Sequence, residues 1–516
     1  MKRGLALLLF LALLCPVASK AHVGSPDVFF DGKVGAWPTS ITIRMPAVVP
    51  GRAEILVQVQ SSEPVSVSFV PLFSRLAASN APPAEAAQSV PGETNLYTGS
   101  LWLMTVGAYS IEVRIHGSSG DGVVQIPVNS VATAQLPLPP ALGGILLALG
   151  VVLFCGAVAI VAAAAGESMV PPGSSPPTNA RRKSWIAAGI TAVVLTLALF
   201  GGKKWWDVAE NKFRAGLRTG GWPDLTADVR NEGAERILRL TLGKKDFSGD
   251  SLALATDHGK LLHFFLVAQP GHQAFAHIHP VRLGNTTFEV ALPPLPAGDY
   301  DMFCDLTLES GLSSTATNII HLPPAPDGSG AADKTYLAAD PDDSWATNSS
   351  VAVQDNPGSA TVCHLADGTQ VIWKAHPALH AQEDAGLQFE VLDPTGQPAA
   401  LEPYMGMMSH AAVMRSDGRV FAHLHPSGNF SMAAQMFFDT KLTKETGVIC
   451  SPGMANMPGM DHSTVAGSGL TTAPEVGGSS VISLPYQFPT PGEFRIWVQI
   501  KRAGQVMTAI FDTVVK

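Results

Sequence analysis

Alternating apolar and polar positions predict β-strands in the first part of the chain. Ile55, Val57 and Val59 are separated by polar or charged residues, and similar runs recur across residues 22–135. Because successive side chains of a strand point to opposite faces, each run gives a strand with one apolar face. Short strands of this kind, separated by turns rich in Pro, Gly and Ser, are typical of a β-sandwich. We therefore predict an all-β domain over residues 22–135.

Two long uncharged runs interrupt this pattern. Ala141–Gly166 and Ser184–Gly202 contain no charged residue, and each is long enough for a membrane helix. The segment between them, residues 167–183, is rich in Pro and Ser and ends in the basic cluster Arg181–Lys183. Basic residues favour the cytoplasmic side, so we predict a transmembrane hairpin whose loop is cytoplasmic.

The first 21 residues have the pattern of a secretory signal peptide. Lys2 and Arg3 precede the apolar stretch Leu5–Leu14, and Ser19–Ala21 offers a small-residue cleavage site. Cleavage there would leave His22 at the N-terminus. Together with the hairpin, the signal predicts a multi-pass protein of the bacterial cytoplasmic membrane, with its β domains in the periplasm.

Beyond the hairpin, Asp207–Arg218 could form a short amphipathic helix, and the strand pattern returns from about Glu232. We predict two further β domains, residues 207–322 and 344–516, joined by a linker at 323–343 that is rich in Pro, Ala, Gly and Asp. Charged residues make up 15% of the chain, whereas soluble proteins average about 25%. The formal net charge is −9, so nucleic acid is not an expected partner.

The last two predicted domains share a repeated motif. Phe275–Pro280 reads FAHIHP, and Phe421–Pro426 reads FAHLHP. An earlier histidine precedes the first histidine of each motif, His263 by 14 residues and His410 by 13. A Gly-x-aromatic tripeptide follows each copy, at Gly298–Tyr300 and at Gly492–Phe494. The repeat predicts that one β unit occurs twice.

The repeated histidines suggest metal sites. In a strand, residues i and i+2 share a face, so the two imidazoles of each His-x-His project together. A neighbouring strand could add a third, and histidine is the commonest metal-ligating side chain. We therefore predict one trio of ligands in each domain: His263, His277 and His279, and His410, His423 and His425. The alternative is that the imidazoles pack against aromatic rings and hydrogen-bond to the main chain.

These motifs resemble the small Ig-like envelope domains of the YtkA-like and FixH-like type. The resemblance rests on His263 with FAHIHP and on His410 with FAHLHP, and it covers about the last 280 residues. It implies Ig-like β-sandwiches and a role in bacterial envelope metal biology. Leu262 and Ser409 stand where such domains carry glycine before the histidine, which affects the loop geometry that the resemblance implies.

A separate insertion carries soft ligands. The segment 450–462 places three methionines at a spacing of three and ends in Asp-His. Thioether sulfur suits Cu(I), and histidine binds either oxidation state of copper. We therefore add Met454, Met457, Met460 and His462 to the candidate ligands and predict copper as the metal. The alternative is a low-complexity insertion without a ligand role.

The rest of the sequence contains few cysteines and no recognisable catalytic motif. Cys363 and Cys450 could form a disulfide in an oxidising compartment, with Cys304 buried in a strand. The sequence contains no Gly-x-Ser-x-Gly, phosphate-binding glycine loop or His-Glu-x-x-His, so we do not expect an enzyme.

The sequence thus predicts a mainly β protein, with three Ig-like β-sandwich domains and a two-helix transmembrane hairpin. The expected function is extracytoplasmic metal binding, with copper binding or handling in the bacterial envelope. The expected partners are the membrane and a membrane protein or metallochaperone, with no small organic substrate. Two alternatives remain: an interaction protein whose Ig-like domains dock onto a membrane complex, and a copper redox enzyme.

Overall fold

The structure is a computed structural model of the chain. It describes residues 27–134, 136–167, 170–171, 173–175, 178–219, 224–233, 235–243, 253–326, 340–347, 351–353, 358–448 and 480–516. The predicted signal segment, His22 and the methionine-rich insertion lie outside these residues. Two compact units make up the chain, Met1–Ser130 with Gly221–Lys516, and Val131–Gly220. The described residues form six sheets and three α-helices, which confirms a mainly β fold.

The first pair of sheets encloses a core of alternating strand residues. Strand β3 buries Ala53, Ile55 and Val57 and exposes the residues between them. The sheet orders are β1-β2-β3-β7-β6 and β5-β4-β8-β9. The strands are β1 Val28–Val34, β2 Trp37–Arg44, β3 Gly51–Val59, β4 Ser66–Phe73, β5 Glu85–Ala86, β6 Gln88–Ser89, β7 Leu96–Leu103, β8 Gly107–Gly117 and β9 Gly120–Ser130. We call these strands the first β unit.

The second β unit also has two sheets around one core. Their orders are β10-β11-β16-β15 and β12-β17-β13-β14-β19, with β18 also paired to β17. The strands are β10 Leu225–Glu232, β11 Glu235–Leu242, β12 Leu254–Ala255, β13 His263–Gln269, β14 Ala274–Ile278, β15 Val281–Arg282, β16 Thr287–Ala291, β17 Gly298–Leu308, β18 Ser313–Leu322 and β19 Ser344–Thr347.

The third β unit repeats the arrangement with its own core. Its sheets are β20-β28-β27-β24-β25 and β21-β22-β23-β26. The elements are β20 Val351–Val353, β21 Thr361–His364, β22 Gln370–Trp373, β23 Leu387–Leu392, β24 His410–Arg415, β25 Phe421–Leu424, β26 Val481–Leu484, β27 Gly492–Arg502 and β28 Gln505–Val515, with a helix at Met432–Thr446.

The boundary between the last two units differs from the predicted one at residue 344. Strand β19 follows the predicted linker, but it pairs antiparallel with β14 of the second unit, with Ser344 opposite His277. The reason is that β14 would otherwise be a sheet edge, whose free N–H and C=O groups β19 satisfies. The third unit therefore begins at β20.

One sheet of the second unit packs face to face against one sheet of the third. Phe303 stacks on Phe421 with ring centroids 3.9 Å apart, and Phe275 stacks on Trp497 at 4.8 Å. These rings belong to a separate buried cluster, distinct from the cores of the two units. Both faces of these sheets are therefore buried, one in its own core and the other in this interface.

The first unit is joined to the third through β1. The Asp31 N–H donates to the Ser427 carbonyl at 3.0 Å, and the Phe29 N–H donates to Asn429 Oδ1 at 2.9 Å. The Phe30 ring stacks on the Phe430 ring, and both rings belong to the core of the first unit. The helix at Met432–Thr446 begins immediately after this contact.

The unit Val131–Gly220 is a pair of helices. Helix α1 spans Pro140–Glu167 and α2 spans Thr178–Thr219, so the helix Met432–Thr446 is α3. The first two are long and apolar enough to cross a bilayer and could form a hairpin. Helix α2 continues past the predicted end of the membrane segment at Gly202 and includes the helix predicted at Asp207–Arg218, with an i,i+4 ion pair between Lys203 and Asp207. The second β unit therefore begins after residue 219, later than the predicted domain boundary at 207.

Candidate metal centre

Strand alternation places the repeated histidines in the interface between the second and third units. In β13, Phe264 and Leu266 enter the core, while His263 and Phe265 face the third unit. Strand β25 likewise sends Leu424 into its core. Because side chains alternate between the two faces of a strand, the histidines lie on the same face as the aromatic rings of the interface.

Seven histidines meet in this interface. Neighbouring ring centroids lie between 4.5 Å, for His423 and His425, and 6.1 Å, for His258 and His263. Six of the seven are buried, and the side chain of His423 is 7% exposed. The members are His258, His263, His277, His279, His410, His423 and His425.

The histidine nitrogens that could bind a metal ion form two groups, which we call the first set and the second set. The first set is His263, His277 and His279, and the second set is His258, His410 and His425. Within each set, one nitrogen per ring lies within 4.8 Å of the others. The sequence grouped the histidines by domain, with His423 in the second trio. The structure instead has a single interface in which His258 takes that place and His423 lies between the sets.

His258 was not among the candidate ligands of the sequence. It lies in a tight turn in which the main chains of Asp257 and Lys260 exchange two hydrogen bonds. Its φ is +52°, a left-handed conformation that is uncommon for histidine. A lone histidine beside glycine in a turn resembles an exposed loop residue, so the sequence carries no signal for its burial. Strained backbone of this kind is concentrated at functional sites.

Each ring of the first set donates its N–H outward. His279 Nδ1 donates to Asp343 Oδ1 at 2.9 Å, because the carboxylate can only accept. His263 Nε2 donates to the Asp257 carbonyl at 3.2 Å. His277 Nδ1 donates to Gln499 Oε1 at 2.9 Å. These bonds orient the three rings.

Gln499 links the two units through its side-chain amide. Its Nε2 lies against Ser344 Oγ and its Oε1 faces His277 Nδ1. Gln499 lies opposite His410 in the β24–β27 pair, and Ser344 lies opposite His277 in the β14–β19 pair. The two strand registers therefore position this hydrogen-bonded chain across the interface.

Two nitrogens of the first set face each other. His263 Nδ1 lies 3.2 Å from His277 Nε2, and both nitrogens are unprotonated when both rings donate outward. Burial, reinforced by the neighbouring histidines, holds the pKa of both rings well below the usual range, so neither ring takes up a second proton. If a cation were bonded to both nitrogens at about 2.0–2.1 Å, the nitrogen–metal–nitrogen angle would be about 100°, close to the tetrahedral value.

Two further nitrogens complete the arrangement. His279 Nε2 is buried and has no hydrogen-bond partner among the described residues. His423 Nδ1 donates to Asp305 Oδ2 at 3.2 Å, and its Nε2 is likewise buried without a partner in the described part of the chain. The His423 ring centroid lies 5.3 Å from those of His263 and His277. The first set supplies three imidazole nitrogens within 4.8 Å of one another, and His423 lies beside them as a candidate fourth ligand of a tetrahedral site.

The second set lacks outer hydrogen bonds. Both ring nitrogens of His258, His410 and His425 are buried without a partner of hydrogen-bonding geometry among the described residues. Burial lowers the pKa of all three, aided for His410 and His425 by neighbouring histidines. The main chains of Met405 and Phe430 oppose this shift at His258 and His425, although neither contact has hydrogen-bonding geometry.

A buried polar group that lacks a hydrogen-bond partner lowers the stability of the folded protein by about 1–3 kcal/mol. Such groups call for a specific explanation, of which a bound ion or ordered water is one. The second set concentrates six of these nitrogens in one place.

The sulfur ligands that the sequence suggested cannot be added to the site. Met454, Met457, Met460 and His462 lie outside the described residues, as does Cys450. Cys304 is buried in the core of the second unit, where burial raises its thiol pKa, and Cys363 is buried in the core of the third.

Comparison with known proteins gives little functional information. Residues 361–449 match the model of a domain of unknown function, DUF8832. This segment includes β21–β25 and α3, and with them His410, His423 and His425. No curated protein matches the chain.

Solved structures give only distant similarities. An α-2-macroglobulin from Salmonella, reacted with methylamine, is 8% identical, with 97% of this chain and 24% of that chain covered and a TM-score of 0.17. Dimeric latent PorU from Porphyromonas gingivalis is 6% identical, with 91% and 32% covered and a TM-score of 0.13. The chain therefore spans about a quarter to a third of these proteins. TM-scores this low carry no argument about fold or function.

Proposed function

We propose that this chain is a membrane-anchored metal-binding protein of the bacterial envelope, which binds a transition metal, copper, through the first set and His423. The observation that supports this most is the close approach of His263 Nδ1 and His277 Nε2, 3.2 Å apart, inside a cluster of seven histidines. The hydrogen bonds on the outer side of these rings are of the kind that orients metal-ligating histidines in proteins.

The donor set favours a borderline transition metal. Neutral imidazoles suit copper, zinc, iron and nickel, whereas calcium and magnesium prefer oxygen. The carboxylates of Asp343 and Asp305 lie behind the rings and offset part of the charge of a cation. Copper is our choice because the insertion with Met454, Met457 and Met460 would suit delivery of Cu(I).

The same proposal includes the architecture that the sequence predicts. The three β units would be Ig-like sandwiches on the extracytoplasmic side, and the helices α1 and α2 would anchor them. In this arrangement the protein holds copper at the membrane surface and exchanges it with a membrane protein or metallochaperone.

A titration of the full chain in detergent tests the metal centre. We expect His277→Ala to weaken Cu(II) binding by more than about 100-fold in competition with a chelator, since it removes a ligand and not merely a supporting hydrogen bond. His321→Ala is the matched control, because His321 is exposed on β18 and pairs with Asp299. Equal affinities in the His277→Ala variant and the wild type would refute this centre.

The same titration addresses the alternative of a purely structural interface. If the histidines serve only packing, neither copper nor zinc will bind tightly, and His277→Ala will change the thermal stability alone. Thermal unfolding of the metal-free proteins therefore accompanies each titration.

A further inference from the structure

The proposed centre leaves the second set unexplained. His258 comes from the second β unit, whereas His410 and His425 come from the third. We infer that His258, His410 and His425 bind a second metal ion of the same class, so that the chain holds two ions and one of them links the two units. This inference rests on the proposed function, since it extends the same histidine cluster.

The geometry of the second set supports a ligand of its own. Its three rings make edge-to-face contacts, with centroids 4.9–5.2 Å apart, and three nitrogens lie within 4.8 Å of one another. The rings are buried, and the described residues offer them no acceptor or donor in hydrogen-bonding geometry. Three imidazoles this close together form a ligand set that metal sites commonly use, and the Asp257 carboxylate lies 3.7 Å from His258 Nε2, where it would offset part of the charge of a cation.

The two sites are expected to differ in strength. The rings of the first set are held by Asp343, Gln499 and the Asp257 carbonyl. Among the described residues, the rings of the second set have weaker supports: His258 and His425 contact the main chains of Met405 and Phe430 without hydrogen-bonding geometry, and Asp257 Oδ1 lies 3.7 Å from His258. Because supporting hydrogen bonds typically change metal affinity by about 10–100-fold, the second ion should bind more weakly and exchange faster.

A shared peptide connects the two sets. The Asp257 carbonyl accepts from His263, and the next residue is His258. The turn is fixed further by Lys260, whose Nζ lies 2.6 Å from Asp340 Oδ2. An ion that orders His263 would therefore also hold the turn that presents His258, which favours binding of the second ion against the repulsion between the two cations.

His423 brings the two ions close together. Its ring centroid is 5.3 Å from that of His263 and 4.5 Å from that of His425. Two Cu(II) ions on either side of one imidazole are near enough for their unpaired electrons to interact. A half-field line in the electron paramagnetic resonance spectrum is the signature of such a pair.

The experiment titrates the full chain in detergent with Cu(II) in competition with a chelator of known affinity, and measures the copper bound per chain together with the spectrum. We expect about two equivalents and a half-field line in the wild type. His258→Asn should retain about one equivalent and lose the half-field line. Asparagine suits this position because it tolerates the left-handed backbone of residue 258, so the turn is preserved. His321→Ala should behave as the wild type.

Each result of this measurement leads to a different conclusion. One equivalent in the wild type, unchanged in His258→Asn, would overturn the second site and leave the proposed function standing. Two equivalents that persist in His258→Asn would place the second ion elsewhere and also overturn it. No bound copper in either protein would refute the proposed function itself.

Discussion

At the scale of single residues, the character of the cluster depends on the atoms behind each imidazole. An imidazole with one N–H can donate outward or inward, and the acceptor that it finds decides which nitrogen faces its neighbours. Asp343 binds both the main-chain N–H and Nδ1 of His279, so it fixes the ring at two points. This carboxylate therefore directs His279 Nε2 toward the first set.

Replacing Asp343 tests this orienting role. Asp343→Ala removes both hydrogen bonds to His279, and we expect Cu(II) affinity to fall about 10–100-fold. Asp343→Asn is the matched variant, because its amide oxygen can still accept from Nδ1, and it should lose less. Competition titration against a chelator measures both. An Asp343→Ala protein with wild-type affinity would show that His279 needs no such support.

At the scale of elements, the strands differ in how many faces they bury. Strand β3 buries every second residue, and its alternating sequence predicts that pattern correctly. Strands β13, β14 and β24 are buried on both faces, and their nearly continuous apolar sequences indicate this.

The sequence does not reveal what covers the second face. The spacing of His277 and His279 predicts that the two rings lie together. That the third unit faces them depends on the stacking of Phe303 on Phe421, residues more than a hundred positions apart. Gln499, Asp305 and His258 join the cluster through such long-range packing, so no local pattern identifies them.

The Phe303–Phe421 stack is expected to hold the interface closed. Phe421→Ala should destabilise the packing by about 3 kcal/mol, the lower end for loss of a buried phenylalanine. Hydrogen exchange in β14 and β25 should then be about 100-fold faster, since local opening becomes easier by that amount. Phe421→Leu is the control and should have a much smaller effect. Unchanged exchange in Phe421→Ala would show that the interface is held by other contacts.

At the scale of the whole molecule, contacts between the first and third units constrain the membrane topology. Strand β1 precedes the two apolar helices in the chain, and Ser427 and Asn429 follow them. The hydrogen bonds from Asp31 and Phe29 to these residues require both parts of the chain to share one side of any membrane. If α1 crosses the bilayer, α2 must cross it back, and the basic residues Arg181–Lys183 then mark the cytoplasmic side.

Cysteine labelling of intact cells tests this topology, in a background without the native cysteines. Ser174→Cys lies between α1 and α2, and we expect a membrane-impermeant maleimide to label it only after the cells are permeabilised. Ser118→Cys is the positive control, since it lies at the exposed turn between β8 and β9 and should be labelled on intact cells. Labelling of Ser174→Cys without permeabilisation would place the loop outside. Labelling of Ser174→Cys with protection of Ser118→Cys would place the β units in the cytoplasm, where the proposed role in envelope metal handling would fail, and protection of both would show that the helices do not form a membrane hairpin.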